Sequence, residues 1–241
     1  MSIRRYPLAA VLVLAALLVS ACAGTTPQPQ EPTGRAPTGS GSEPAPEPAS
    51  NEPTVIRVAL PADIQGLNPA LVADATTLYN TLRNIYDPLF YMDREQNPIP
   101  WLATGYELID DLTWEIYLRD DVTFHNGEPF NAEAVKFTFD YIMDPANNSQ
   151  LQAYIEAIES VEIVDEYTVR IKTSRPEPTL RQNLNIIFMI PPKYTQENGI
   201  DALNARPVGT GAFSFVEWVP GERLVLEANP DYFAGAPSVD R

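Results

Sequence analysis

Cysteine and histidine are almost absent: the 241 residues hold one of each, Cys22 and His125. A single cysteine excludes an intrachain disulfide framework and a thiolate metal cluster, and a single histidine excludes a multi-histidine metal centre. Basic residues are scarce as well. Sixteen Lys and Arg stand against 32 Asp and Glu, a formal net charge of −16. Such a surface repels phosphate, which argues against a nucleic-acid partner. No apolar run reaches the ~20 residues that cross a bilayer; the run from Leu8 to Val19 has twelve. Internal repeats are missing, and so is a Gly-x-Ser-x-Gly elbow. Gly209-Thr210-Gly211 is not followed by the Lys-Ser/Thr pair of a phosphate loop and is expected to start a strand where only glycine tolerates the backbone angles.

What is present divides at about residue 53. Arg4 and Arg5 precede the twelve-residue apolar run, and small residues Ser20 and Ala21 follow it. That order is expected of a secretory signal over residues 1–21. Val19-Ser20-Ala21-Cys22 resembles a bacterial lipobox, in which the chain is cleaved before a cysteine that carries lipid; the other reading is an ordinary signal with a chance cysteine. Residues 22–53 then form an expected tether. Eight of the 24 prolines and no aromatic residue fall in 23–53, too little apolar surface to offset chain entropy. A tether behind a lipidated Cys22 would lift a folded part off the membrane.

Residues 54–241 carry the material for a core. Four of the acidic and three of the basic residues precede Thr54, so this part holds 28 and 13, a net −15. Val55–Leu60 is β-branched and ends at Pro61, which predicts a strand. Leu78, Leu82 and Ile85 recur at helical spacing within Thr76–Asp87, stopped by Pro88. Trp114, Ile116 and Leu118 alternate with Glu115, Tyr117 and Arg119, predicting a half-buried strand paired with Tyr106–Ile109 around Asp110-Asp111. Asn131 is placed to cap a helix that carries the stripe Val135, Phe139 and Ile142 and ends at Pro145. Further hairpins are predicted at Ser160–Val164 with Thr168–Thr173, turning at Asp165-Glu166, and at Ala212–Val219 with Arg223–Ala228, turning at Pro220-Gly221. Antiparallel hairpins beside helices predict an α/β, mixed α+β fold with a mixed sheet.

Catalytic chemistry finds little footing. The carboxylates are scattered: Asp110-Asp111 and Asp120-Asp121 read as solvated turn residues rather than a facing acid pair. His125 lacks a nucleophile and an orienting partner in the sequence and reads as a turn residue. An exported domain without a catalytic constellation is expected to bind rather than to catalyse, with no cofactor and no metal.

Several ordered stretches resemble the family 5 bacterial extracellular solute-binding proteins, the dipeptide-, oligopeptide- and nickel-binding components of ABC importers. They are Pro98–Ala103, Thr113–Val135, Ser160–Val169, Pro207–Phe213 and Asn229–Phe233. The resemblance implies a two-lobed, periplasmic-binding-protein-like fold of which 54–241 is the first lobe, with the second lobe missing from this chain. It also implies capture of peptides outside the cytoplasmic membrane, delivery to ABC permease subunits, a monomeric state and no enzymatic activity. Alternatives are an exported lipoprotein enzyme or sensor on the same scaffold, or a binder of nickel or another non-peptide solute. In the family the segment after the Leu-Asn/Asp-Pro turn lies along the cleft. Leu67-Asn68-Pro69 is that turn here, so Val72, Asp74, Ala75, Thr76 and Thr77 are the implied contacts, with Tyr154 and Phe188 as further candidates. Asp74 and Thr76 read equally as a helix N-terminus, and Tyr154 and Phe188 as core. The family's charged clamps for peptide termini lie largely in the other lobe.

Overall fold

The computed structural model describes residues 53–241. The expected signal, Cys22 and the tether therefore lie outside the described residues.

Val55–Leu60 is not a strand. Its β-branched residues are exposed, with Val58 73% accessible, and within it only the Ile56 N–H reaches a backbone partner, the carbonyl of Arg241 at 2.8 Å. High β-propensity reflects packing on a sheet, and no ladder partner runs beside this stretch among the described residues. The Leu67-Asn68-Pro69 turn is buried and tied down: Asn68 Oδ1 accepts from the Ala70 N–H at 3.0 Å, and Asn204 Oδ1 accepts from the N–H groups of Leu67 and Asn68.

The predicted helix is interrupted. α1 (Ala75–Thr77) passes into a π-helical turn, Leu78–Leu82, and resumes as α2 (Arg83–Ile85). Tyr86 returns to extended backbone just before Asp87-Pro88. Leu78, Leu82 and Ile85 are buried, so the apolar stripe read from the sequence faces the core.

β1 (Phe90–Met92) pairs antiparallel with β2 (Pro98–Pro100), a short ribbon that periodicity does not signal because prolines occupy both ends of β2. β3 (Ala103–Asp110) and β4 (Thr113–Leu118) form the first predicted hairpin. Trp114, Ile116 and Leu118 are buried, as the alternation requires. α3 (Ala132–Met143) begins at Asn131, whose side chain accepts from the Glu133 N–H at 3.0 Å. It packs Val135, Phe139 and Ile142 inward, and β5 (Ile158–Asp165) and β6 (Thr168–Thr173) follow it. These strands make a four-stranded antiparallel sheet in the order β3-β4-β6-β5, and α3 packs against β5 and β6.

Three short helices follow: α4 (Leu180–Asn183), α5 (Pro192–Asn198) and α6 (Ala202–Ala205). The Asn126-Gly127 turn delivers Glu128 to α5, where its carboxylate accepts from the N–H groups of Lys193 and Tyr194 at 3.0 and 2.9 Å. β7 (Phe213–Val219) and β8 (Arg223–Ala228) form the last hairpin. The fold is mixed α/β as expected, but the expected mixed sheet is corrected: among the described residues all three sheets are antiparallel, because their strands come as hairpins joined by short turns. Among the described residues no helix is long and apolar enough to cross a membrane.

Candidate functional site

The segment Val72–Thr77 turns some side chains inward and others out. Val72 and Thr77 are buried, Thr76 is half-buried and Ala75 is exposed. Asp74 caps α1: its Oδ1 accepts from the Thr77 N–H at 2.9 Å, and the Thr77 hydroxyl accepts from the Gln65 N–H at 3.1 Å. The other Asp74 oxygen is buried and has no hydrogen-bond partner. A cap requires one carboxylate oxygen, so the second is surplus to the helix.

The open side of this segment continues along the helical stretch. Thr76, Tyr79, Asn80 and Arg83 follow the i, i+3, i+4, i+7 pattern of one helix face, and Tyr79 is 47% exposed. The π-turn lies within this stripe, a local distortion often found at functional sites. The Arg83 guanidinium sits 4.5 Å from the Tyr79 ring centroid and 5.0 Å from that of Tyr91, and its Nη2 donates to Asn185 Oδ1 at 2.5 Å. The helical spacing from Thr76 is the sequence signal that points to Arg83; Tyr91 and Asn185 have none.

Tyr154 and Phe188 have different settings. Tyr154, at the end of the 3-10 turn Gln152–Tyr154, is 45% exposed. Its loop is anchored near the buried turn through Ser149, whose hydroxyl donates to the Ala70 carbonyl at 2.5 Å. Phe188 is in the core at 1% exposure, its ring 6.5 Å from that of Tyr86. Its sequence-level reading as core describes its place here, because the Pro88–Phe188 bridge directs this strand-like stretch inward.

Behind the open stripe lies a buried carboxylate. Asp87 accepts from Trp101 Nε1 at 2.8 Å, Thr210 Oγ1 at 2.9 Å, and the hydroxyls of Tyr232 and Tyr91 at 3.0 and 3.3 Å. Burial pushes Asp87 above the usual carboxylate range, against the downward pull of these four donors. The same burial, with the Asp87 charge beside them, pushes both tyrosines up, so they stay protonated donors. The arrangement ties the segment before β1, the glycine loop before β7 and the stretch after β8 to one point.

His125 makes a second tie. Its Nε2 lies 2.9 Å from the Gly211 carbonyl and its Nδ1 3.4 Å from the Gly209 N–H. A carbonyl only accepts and an N–H only donates, so the ring is neutral with its proton on Nε2. Burial holds His125 below its ordinary range, partly offset by the Gly211 carbonyl. Among the described residues no group of three or more His, Cys, Asp or Glu side chains is placed to hold a metal ion.

Comparison with known proteins gives these features a context. Residues 97–241 match the family described as Bacterial extracellular solute-binding proteins, family 5 Middle. NikZ of Campylobacter jejuni, solved with Ni(L-His), is 31% identical with a TM-score of 0.68, covering 75% of this chain and 36% of that one. DppA of Helicobacter pylori, solved with the peptide STSA, is 31% identical with a TM-score of 0.67, covering 74% and 40% respectively. Di/tripeptide-binding protein 4 of Pseudomonas aeruginosa is 32% identical over 206 residues, 74% of this chain and 37% of that protein. The chain thus spans little more than a third of the length of the relatives it matches.

Proposed function

Because the chain belongs to the family 5 bacterial extracellular solute-binding proteins, we propose that it serves as the solute-capturing component of an ABC importer. It takes up di- or oligopeptides outside the cytoplasmic membrane and delivers them to permease subunits, as a monomer and without catalysis. Residues 54–241 supply one lobe of the cleft. Cys22 carries the lipid that holds the chain at the membrane, and residues 22–53 give the lobe its reach.

The observation that carries this reading is the outward side of the segment after the Leu67-Asn68-Pro69 turn, where Ala75 is exposed and Thr76 half-buried. Main-chain groups of an extended peptide beside such a segment would be recognised whatever the side chains. Ala75 and Thr76 are small enough to let a backbone approach, and Tyr154 is an exposed aromatic on the loop anchored to the same turn. Val72 and Thr77 act as the inner support of the segment, and Phe188 as part of the wall behind it.

The relative solved with Ni(L-His) favours a second reading, a nickel chelate as ligand. Thermal-shift and isothermal titration with dipeptides, tetrapeptides and the nickel–histidine complex separate the two. Stabilisation by peptides, with none from the nickel complex, is the expected result. Stabilisation by the nickel complex alone replaces the peptide reading, and silence towards all three removes both. For the anchor, Cys22→Ala is expected to move the protein from the membrane to the soluble fraction; a variant that fractionates like the wild type shows that Cys22 is not the anchor.

A further inference from the structure

Among the described residues four arginines are half-buried, and two of them, Arg83 and Arg181, lack what the other two have. Arg119 is paired with Asp121 at 2.6 Å and Arg170 with Glu115 at 2.5 Å, whereas neither Arg83 nor Arg181 has a carboxylate within ion-pair distance among the described residues. Of the five N–H groups on the Arg83 guanidinium, Asn185 takes one, and the buried Nε–H has no acceptor. A half-buried cation normally finds an anion, because desolvation without a partner is costly.

The position of this cation is fixed. The Arg83 Cζ lies over the rings of both Tyr79 and Tyr91, and Asn185 accepts from one of its N–H groups. These contacts restrict the long side chain, and the N–H groups that Asn185 does not take keep the planar fork geometry that suits a two-pronged carboxylate contact. Arg83 also lies on the helix face that carries Thr76, two turns along from the proposed contact segment. A positive group there opposes the acidic surface locally, where a ligand carboxylate would otherwise be repelled.

We propose that Arg83 is the carboxylate-recognising residue of this surface. It accepts the carboxylate of a peptide ligand, from the C-terminus or an acidic side chain, on its open guanidinium edge, with Tyr79, Tyr91 and Asn185 as its positioning residues. The inference rests on the peptide-binding reading and adds an end-recognising cation to the lobe that carries the backbone-contacting segment.

Isothermal titration of the intact protein with trialanine, trialanine amide and Ala-Glu-Ala amide tests it, each carried to millimolar concentration. The wild type is expected to bind trialanine at least about tenfold tighter than its amide, the scale of a lost charge-assisted hydrogen-bond pair. R83Q is expected to bring that ratio close to one. Recovery of affinity with Ala-Glu-Ala amide assigns the site to any carboxylate, and no recovery assigns it to the terminus; both support the proposal. Should R83Q fail to fold, R83K carries the test, since it keeps the charge but loses the fork, and the ratio should drop severalfold. R181Q is the control: Arg181 is also half-buried and stacked, 4.4 Å from the Tyr106 ring, and its variant should keep the wild-type ratio. Equal binding of acid and amide by the wild type, an unchanged ratio in R83Q, or the same loss in R181Q overturns the inference and leaves the peptide reading standing. Binding of none of the three peptides overturns both.

Discussion

His125 donates from Nε2 to the carbonyl of Gly211 across 2.9 Å, and this one contact joins the turn after β4 to the glycine loop before β7. The backbone repeats the connection, since the His125 N–H donates to the Gly209 carbonyl at 2.8 Å. The clasp needs a neutral ring, because an imidazolium would turn Nδ1 from an acceptor into a donor facing the Gly209 N–H.

That requirement fixes a pH dependence. His125 is held below its ordinary range when folded, so the unfolded chain binds its proton more readily. The resulting stability is fully present above the unfolded value of about 6.5 and is lost as pH falls through the folded value. Thermal midpoints of the wild type and H125Q, measured from pH 7.5 down to pH 5, should converge as the pH drops. A constant difference between the two would show that His125 does not titrate within this window.

Asp87 has the opposite sign. Burial raises its folded value, so protonation favours the native state. Its contribution is fully present below the unfolded value of about 3.9 and is lost as pH rises through the folded one. D87N keeps an acceptor for part of the donor set and should remove this slope. D87A leaves Tyr91, Trp101, Thr210 and Tyr232 aimed at nothing and should cost about 3 kcal/mol or more, since buried donors without acceptors carry their full desolvation penalty. Chemical denaturation of both variants at pH 4 and pH 7 measures slope and cost together. If D87A proves as stable as D87N, the carboxylate does not organise these segments.

How far this arrangement is legible in the sequence depends on the range of the interaction. The β3–β4 and β5–β6 hairpins follow from alternation and from turns at Asp110-Asp111 and Asp165-Glu166, all local signals. The Asn131 cap is local too. Val55–Leu60 has strand-forming residues but depends on a distant partner, which no local pattern specifies. Asp87 draws its donors from positions 91, 101, 210 and 232, so its role emerges only once the chain has folded. The contact segment rested on a resemblance. Arg83 was within reach of plain helical counting from Thr76, although its partners Tyr91 and Asn185 were not.

The glycines of the 209–211 loop are required for closeness rather than for backbone angle. The sequence leads one to expect that only glycine tolerates the backbone angles here, yet Gly209 and Gly211 are not among the glycines with positive φ. A Cβ on Gly209 would lie 2.0 Å from the Ile85 carbonyl oxygen, and one on Gly211 2.5 Å from that of Asn84. G209A should therefore cost about 4 kcal/mol or more, the range reserved for severe steric conflict. Gly127, at φ +86° with open space around it, offers the contrast. G127A should cost only about 1–2 kcal/mol, the penalty of the left-handed region for a residue with a Cβ. Urea denaturation of the pair measures both, and similar midpoints would show that the helix backs away from the loop at little cost.

Asp74 allows its structural and binding roles to be separated. Its Oδ1 caps α1, and Asn caps a helix about as well as Asp, so D74N should leave the thermal midpoint nearly unchanged. D74A removes the cap and should lower stability by about 1 kcal/mol. The unpartnered Oδ2 enters neither comparison, because it makes no hydrogen bond within the protein. Oδ2 is buried in the free protein, so a peptide reaches it only if the segment shifts on binding, and its natural partner is then a donor carrying positive charge, the N-terminal ammonium. D74N would then weaken a free-amine peptide by about tenfold, the scale of one charge-assisted hydrogen bond, and leave the N-acetylated peptide unaffected. Titration of wild type and D74N with trialanine and N-acetyl-trialanine reads this directly. An equal loss for both peptides assigns Asp74 to shaping the segment. No loss for either confines Asp74 to capping the helix.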